Sequence, residues 1–267
     1  MAGPHSAGTR LNRVGGSGVW REFLRRNGLL TFDHIWALPQ EWIDKPNVRG
    51  SGWSSVSRHR LRAPNGGNAR VILKRQQSYT KKTFTHLLRG ISTLRTEAEM
   101  IGYLRHRGVL VPEIVYFGES KDQRTALMML EVASAVPLDI ALRERQFRDK
   151  HSLIAAAARA VRAMHQARCQ HRALFPKHIL VDKAAAVYII DLEKARRKLF
   201  RQQCIVRDLD ELNRRALDAN RTDRMRFFKN YLEVNRLGWR EKLLWRRIAK
   251  RNLRKRSGKL ANTGVED

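Results

Sequence analysis

The stretch HRALFPKHILVDKAAAVYIIDLEK, His171 to Lys194, decides how this chain is read. It opens on a His171-Arg172 pair and passes a proline into a short apolar run, Ile179 to Val181. An alanine-rich turn leads to a second apolar run, Val187 to Ile190, which ends on Asp191. Short apolar runs separated by turn residues read as strands. A carboxylate directly after a buried strand is placed to hold a divalent cation against phosphate oxygens. The plainer alternative for Asp191 is an N-cap for the residues that follow it. His178 stands five residues after Ala173, and Asp191 eighteen after it.

Working outward, SLIAAAARAVRAMHQA before this stretch has Ile154, Ala157, Ala158, Val161, Met164 and His165 at three-to-four spacing, the pattern of a buried helix. Beyond it the chain is mostly helical and basic. Towards the N-terminus strands dominate. Asn65-Gly66-Gly67 is a hairpin signal between two strand-like pieces, the second of which is Val71-Ile72-Leu73-Lys74. TLRTEAEMIGYLRHRG is a helix with Leu94, Glu97, Ile101 and Leu104 on one face and Gly108 placed to stop it. VPEIVYFGES and RTALMMLEVA are two more strands. Strands and helices do not alternate, which excludes a doubly wound parallel sheet. The order predicts an α+β fold of two lobes: an antiparallel-sheet N-lobe over 19–132 and a helical C-lobe over 133–240. A Gly- and Ser-rich start over 1–18 is expected to be disordered, and 241–267 to form a basic C-terminal helix and tail.

Several residues in this order carry chemistry. Gly50 and Gly52 of RGSGWSSV could let a backbone turn approach phosphate oxygens, although two glycines are more often simply a turn. Lys74 closes a strand, where an ammonium can reach nucleotide phosphates and be held by a helix carboxylate. Glu97 faces inward and is the preferred partner; Glu99 lies on a more solvated face. Protein kinases place a glycine turn, strand lysine, helix glutamate, loop and metal-binding aspartate in the same order. In that scheme Ala173 falls where the catalytic base belongs, His178 where a metal-binding asparagine belongs, and Asp191 on the metal. His171 either braces the loop against the Asp191 segment or serves as a substitute base. Glu193 could add charge near a metal, or face solvent.

The second half in particular resembles the lipopolysaccharide core kinases, the Kdo/heptose kinase (WaaP/InaA) group of protein-kinase-like enzymes. The resemblance rests on TEAEMIGYLRHRGVLVPEIVYFGE, HRALFPKHILV, VYIIDLEKARR, CIVRDLDEL and RTDRMRFFKNYL. It implies that Lys74 binds ATP phosphates, that Glu97 holds Lys74, that Asp191 binds Mg²⁺, and that Glu131-Val132 form the edge beside adenine. A histidine at 178 is usual in that family. The implied reaction passes a phosphoryl group from ATP to a heptose or Kdo hydroxyl of the inner-core glycolipid. Ala173 departs from the pattern, since a methyl group cannot accept a proton. The rival reading is therefore a pseudokinase acting as a binding or regulatory stress protein.

The 267 residues include 54 Lys and Arg against 25 Asp and Glu, a net charge of +29. Such a charge favours anionic partners. Residues 240–259, with Leu244, Trp245 and Ile248 on one helix face, could lie on an anionic inner-membrane surface or pack on the helical lobe. No zinc-finger spacing or RNP-type aromatic strand is visible, so no specific nucleic acid is expected. Two cysteines, no apolar span and no secretory leader point to a cytoplasmic protein, peripheral on the membrane at most.

Overall fold

The computed structural model describes residues 13–14, 18–43, 45–49, 52–63, 65–83, 86–144 and 149–263. The chain divides into two compact units: residues 1–102 with 112–131, and residues 103–111 with 132–267.

The first unit is built on a six-stranded antiparallel sheet. Its strands are β1 (Arg13–Val14), β2 (Asn47–Arg49), β3 (Gly52–Arg62), β4 (Asn68–Gln77), β7 (Ile114–Glu119) and β8 (Arg124–Leu130), in the order β1-β7-β8-β4-β3-β2. A separate hairpin pairs β5 (Thr80–Thr83) with β6 (His86–Ser92). Arg13 and Val14, expected to be disordered, instead pair with Phe117 and Tyr116; the remainder of that start, up to residue 17, lies outside the described residues. The β3–β4 turn falls where the Asn-Gly-Gly signal placed it. The Ala63 N–H bonds the Gly67 carbonyl at 2.7 Å, and Gly66 sits at φ 92°, a conformation that suits glycine.

Alternation along β4 sends successive side chains to opposite faces. Val71 and Leu73 enter a core with Phe23, Leu24, Phe32 and Ile35 from helices α1 (Gly18–Arg26) and α2 (Phe32–Trp36). Lys74 and Gln76 point the other way, towards helix α3 (Thr93–Arg105). Gly108, at φ 72°, closes the turn after α3, where the Val109 N–H bonds the Leu104 carbonyl.

The second unit is mainly helical. It holds α4 (Leu138–Arg143), α5 (Lys150–Gln166), α6 (Gln202–Arg215), α7 (Arg221–Leu232) and α8 (Trp239–Thr263). Short strands β9 (Val136–Pro137), β11 (Ile179–Val181) and β12 (Val187–Ile189) form one small sheet, and β10 (Cys169–Gln170) pairs with β13 (Arg196–Arg197). The buried side of α5 is the one its periodicity marked: Ile154, Ala157, Ala158, Val161, Met164 and His165, joined by Leu153. On α8, Trp245 packs on Phe228 of α7 with ring centres 5.0 Å apart, and Ile248 is buried. Of the two roles open to this helix face, packing on the unit is the one observed.

Candidate active site

In the first unit, Lys74 lies on a central strand between Val56 of β3 and Leu127 of β8. Its Nζ donates to Glu97 Oε1 at 2.7 Å and Oε2 at 2.8 Å, with the lysine side chain 15% exposed and the glutamate 1%. Two residues along β4, Gln76 donates to Thr93 Oγ1 at 2.6 Å and accepts from Ser92 Oγ at 3.1 Å. The two spacings match: two residues of strand and four of helix each advance about 6 Å. The Gln76 and Lys74 contacts thus fix α3 at two points one turn apart. Glu99 is exposed.

Gly50 lies outside the described residues. Gly52 has a packing reason of its own. A Cβ there would come within 2.4 Å of the Ser78 carbonyl oxygen, so the glycine admits close passage of two backbones. Glu131 is tied down by Arg58 at 3.0 Å and Arg70 at 2.8 Å, and its N–H bonds the Arg70 carbonyl at 2.9 Å. That N–H is therefore committed within the sheet and is not open to an adenine ring. Val132 begins the second unit, and its carbonyl accepts from the Ala135 N–H.

In the second unit the loop after β10 is hung on a buried carboxylate. Asp208 of α6 accepts from the backbone N–H groups of His171 at 2.6 Å and Arg172 at 2.8 Å, and lies 3.2 Å from His165 Nε2. Arg172 adopts φ 68°, a left-handed conformation that these bonds hold in place. Burial pushes the Arg172 pKa down, helped by the like charges of Arg196 and Arg207. His171 is fully buried with Nε2 2.9 Å from the Ile190 carbonyl, so Nε2–H donates there. Burial lowers its pKa, against the pull of Asp208 and Asp191. Through Nε2 the ring braces the loop against the Asp191 segment, while Nδ1 is buried without a hydrogen-bond partner.

Ala173 is buried, and its carbonyl receives His178 Nδ1–H at 2.8 Å. Burial pushes the His178 pKa down to about 4, so the ring is neutral at pH 7. With its proton on Nδ1, Nε2 turns a lone pair towards Asp191 Oδ2 at 3.2 Å. Charge attraction cannot hold that pair. A cation, or a water carried by one, would bridge the two atoms. Asp191 itself sits at φ 62°, ψ 56° and makes no side-chain cap to the turn that follows. The N-cap explanation therefore fails, and a left-handed non-glycine residue of this kind costs of order 1–3 kcal/mol. Glu193 lies 3.5 Å from Lys194.

Among the described residues no group of three or more His, Cys, Asp and Glu side chains forms a metal cage. Mg²⁺ does not need one; it is commonly held by one or two carboxylates, waters and substrate phosphates. The hard oxygens of Asp191 fit that role. The His178 nitrogen suits an acceptor for metal-bound water better than a direct ligand.

The lipopolysaccharide kinase (Kdo/WaaP) family model matches residues 33–231, more than half of the chain. The chain belongs to this family. It is also 28% identical over 200 residues to Protein InaA of Escherichia coli (strain K12), covering 68% of this chain and 87% of that protein.

Asp208 escaped the reading of functional residues. The available signal is an acid inside an apolar stripe: Cys204, Ile205, Leu209 and Leu212 share its side of α6.

Proposed function

We propose that the protein is an ATP- and Mg²⁺-dependent phosphotransferase acting on a heptose or Kdo hydroxyl of the lipopolysaccharide inner-core glycolipid. The observation that carries the reading is the placement of Asp191 just after β12, in a left-handed backbone conformation and with Oδ2 3.2 Å from His178 Nε2. Family membership supports the donor and the substrate class. Mg²⁺, when bound, supplies charge neutralisation on the phosphate oxygens. Asp191 would hold it, with His178 orienting its water. Lys74, kept in place by Glu97, carries the positive charge that receives phosphate oxygens.

In transfer, the P–O bond to the leaving ADP breaks and a P–O bond to the sugar oxygen forms. With Ala173 in place of a carboxylate, the hydroxyl proton passes to solvent rather than to the protein. Phosphoryl transfer runs through a loose transition state in which positioning and electrostatics dominate. A missing general base costs about 10²–10⁴-fold, so the reading is a slow enzyme. The rival, nucleotide binding without transfer, rests on Ala173 alone.

The test is phosphate incorporation into purified core glycolipid from labelled ATP and Mg²⁺. Wild type is expected to transfer slowly, and Ala173→Asp roughly 10²–10⁴-fold faster. Nucleotide binding with no transfer by either form would reject catalysis.

A further inference from the structure

Leu199 and Phe200 are 75% and 63% exposed, although the backbone around them is fixed on both sides. Before them, β13 pairs with β10, and the Lys198 N–H bonds the Arg168 carbonyl at 2.8 Å. After them, the Phe200 carbonyl accepts from the Gln203 N–H at 3.2 Å, and α6 begins at Gln202. The two side chains therefore project from a held turn, not from a loose end. The segment KARRKLFRQQ, 194–203, contains five cations and no acid. Arg196 and Arg197, just before the apolar pair in the chain, are exposed, the Arg197 guanidinium lying 4.5 Å over the Tyr103 ring.

We infer that the Arg196–Arg201 turn is a membrane-surface wedge, in which Leu199 and Phe200 enter the headgroup boundary of an anionic bilayer while Arg196, Arg197 and Lys198 pair with lipid phosphates. An apolar tip ringed by cations is the composition that such an interface selects: acyl chains accept the Leu and Phe surface and anionic headgroups the charge. A soluble acidic partner would account for the arginines but not for an exposed Leu-Phe pair among them. The inference goes beyond the phosphotransferase reading, and its test uses no transfer reaction. It also relocates membrane contact from α8, whose Trp245 and Ile248 are occupied by packing.

A net charge of +29 draws any face of this protein to anionic lipid, so the deciding variant leaves charge unchanged. Full-length wild type and Leu199→Gln/Phe200→Gln are co-sedimented with phosphatidylethanolamine–phosphatidylglycerol vesicles and with pure phosphatidylcholine vesicles. Both side chains are exposed, so matching thermal melts are expected and are checked first. The wedge predicts binding to the anionic vesicles only, weakened by roughly tenfold or more in the double variant. Arg196→Gln/Arg197→Gln should weaken it as well and flatten its salt dependence. Equal binding by wild type and Leu199→Gln/Phe200→Gln, or no binding of wild type to anionic vesicles, overturns the inference. So does loss of binding only in Trp239→Gln/Leu243→Gln, which alters the exposed residues of α8.

Discussion

The Lys74–Glu97 pair and the His171–Asp191 loop handle charge in opposite ways. The first is complete: an ammonium meets both oxygens of a buried carboxylate, and Gln76, Ser92 and Thr93 fix the helix beside it. The second has a complete frame around an incomplete centre. Asp208 holds two backbone N–H groups, His171 braces the Ile190 carbonyl and His178 bonds the Ala173 carbonyl, yet position 173 presents only a methyl group. The cost of holding Arg172 and Asp191 in left-handed conformations is still met. The loop is thus held in full while position 173 carries no carboxylate, so the frame does not depend on a base at that position.

The largest effect is expected from striking the frame. Asp208→Ala leaves two buried N–H groups and His165 without their acceptor, each worth about 1–3 kcal/mol. Urea denaturation should show a loss of about 4 kcal/mol, and a loss under 1 kcal/mol would mean that the loop does not hang on this carboxylate. Lys74→Ala strands the Glu97 carboxylate in the interior. Breaking one side of a buried pair costs about 3–5 kcal/mol, and the partial exposure of Lys74 places it near the lower end, about 3 kcal/mol. Lys74→Ala/Glu97→Gln should recover part of that stability without recovering nucleotide affinity. If the single variant is as stable as wild type, the pair is not the buried clamp described.

Acid should separate the two regions less sharply. Burial lowers the pKa values of His171 and His178 in the loop, and of His59 in the first unit, where Arg75 adds to it. Each binds its proton more readily unfolded than folded, so the unfolded state takes up more protons as pH falls and stability falls with it. For His178 the window runs from the ordinary 6.5 down to about 4. Stability from this group is fully present above that window and declines through it by roughly 3 kcal/mol. Thermal melts between neutral and mildly acidic pH should show the decline, and His178→Gln should reduce it; a flat profile would mean that the ring takes up its proton as readily folded as unfolded.

Much of this arrangement was legible in the chain because it rests on local period. Strand alternation pointed Lys74 away from the Val71–Leu73 core, and helical period turned Glu97 inward and Glu99 out. The strand-rich then helix-rich order gave the α+β class, and the apolar run before Asp191 gave the short strand that delivers it. What could not be read depends on remote partners. Gly52 is required by the Ser78 carbonyl, which arrives with the end of β4. Trp245 turns inward because Phe228 of α7 is there to receive it. Asp208 looks like a fault in an apolar stripe until the loop N–H groups beneath it are known. Leu199 and Phe200 pass for ordinary apolar residues until their exposure is seen.

The central claim is that Asp191 holds the metal that makes ATP binding productive. The direct measurement is ATP affinity with and without Mg²⁺, compared between wild type and Asp191→Ala. The account predicts that Mg²⁺ tightens binding to wild type by roughly tenfold or more, and that the variant binds with one weak affinity whether or not Mg²⁺ is present. Equal Mg²⁺ enhancement in both proteins would contradict it.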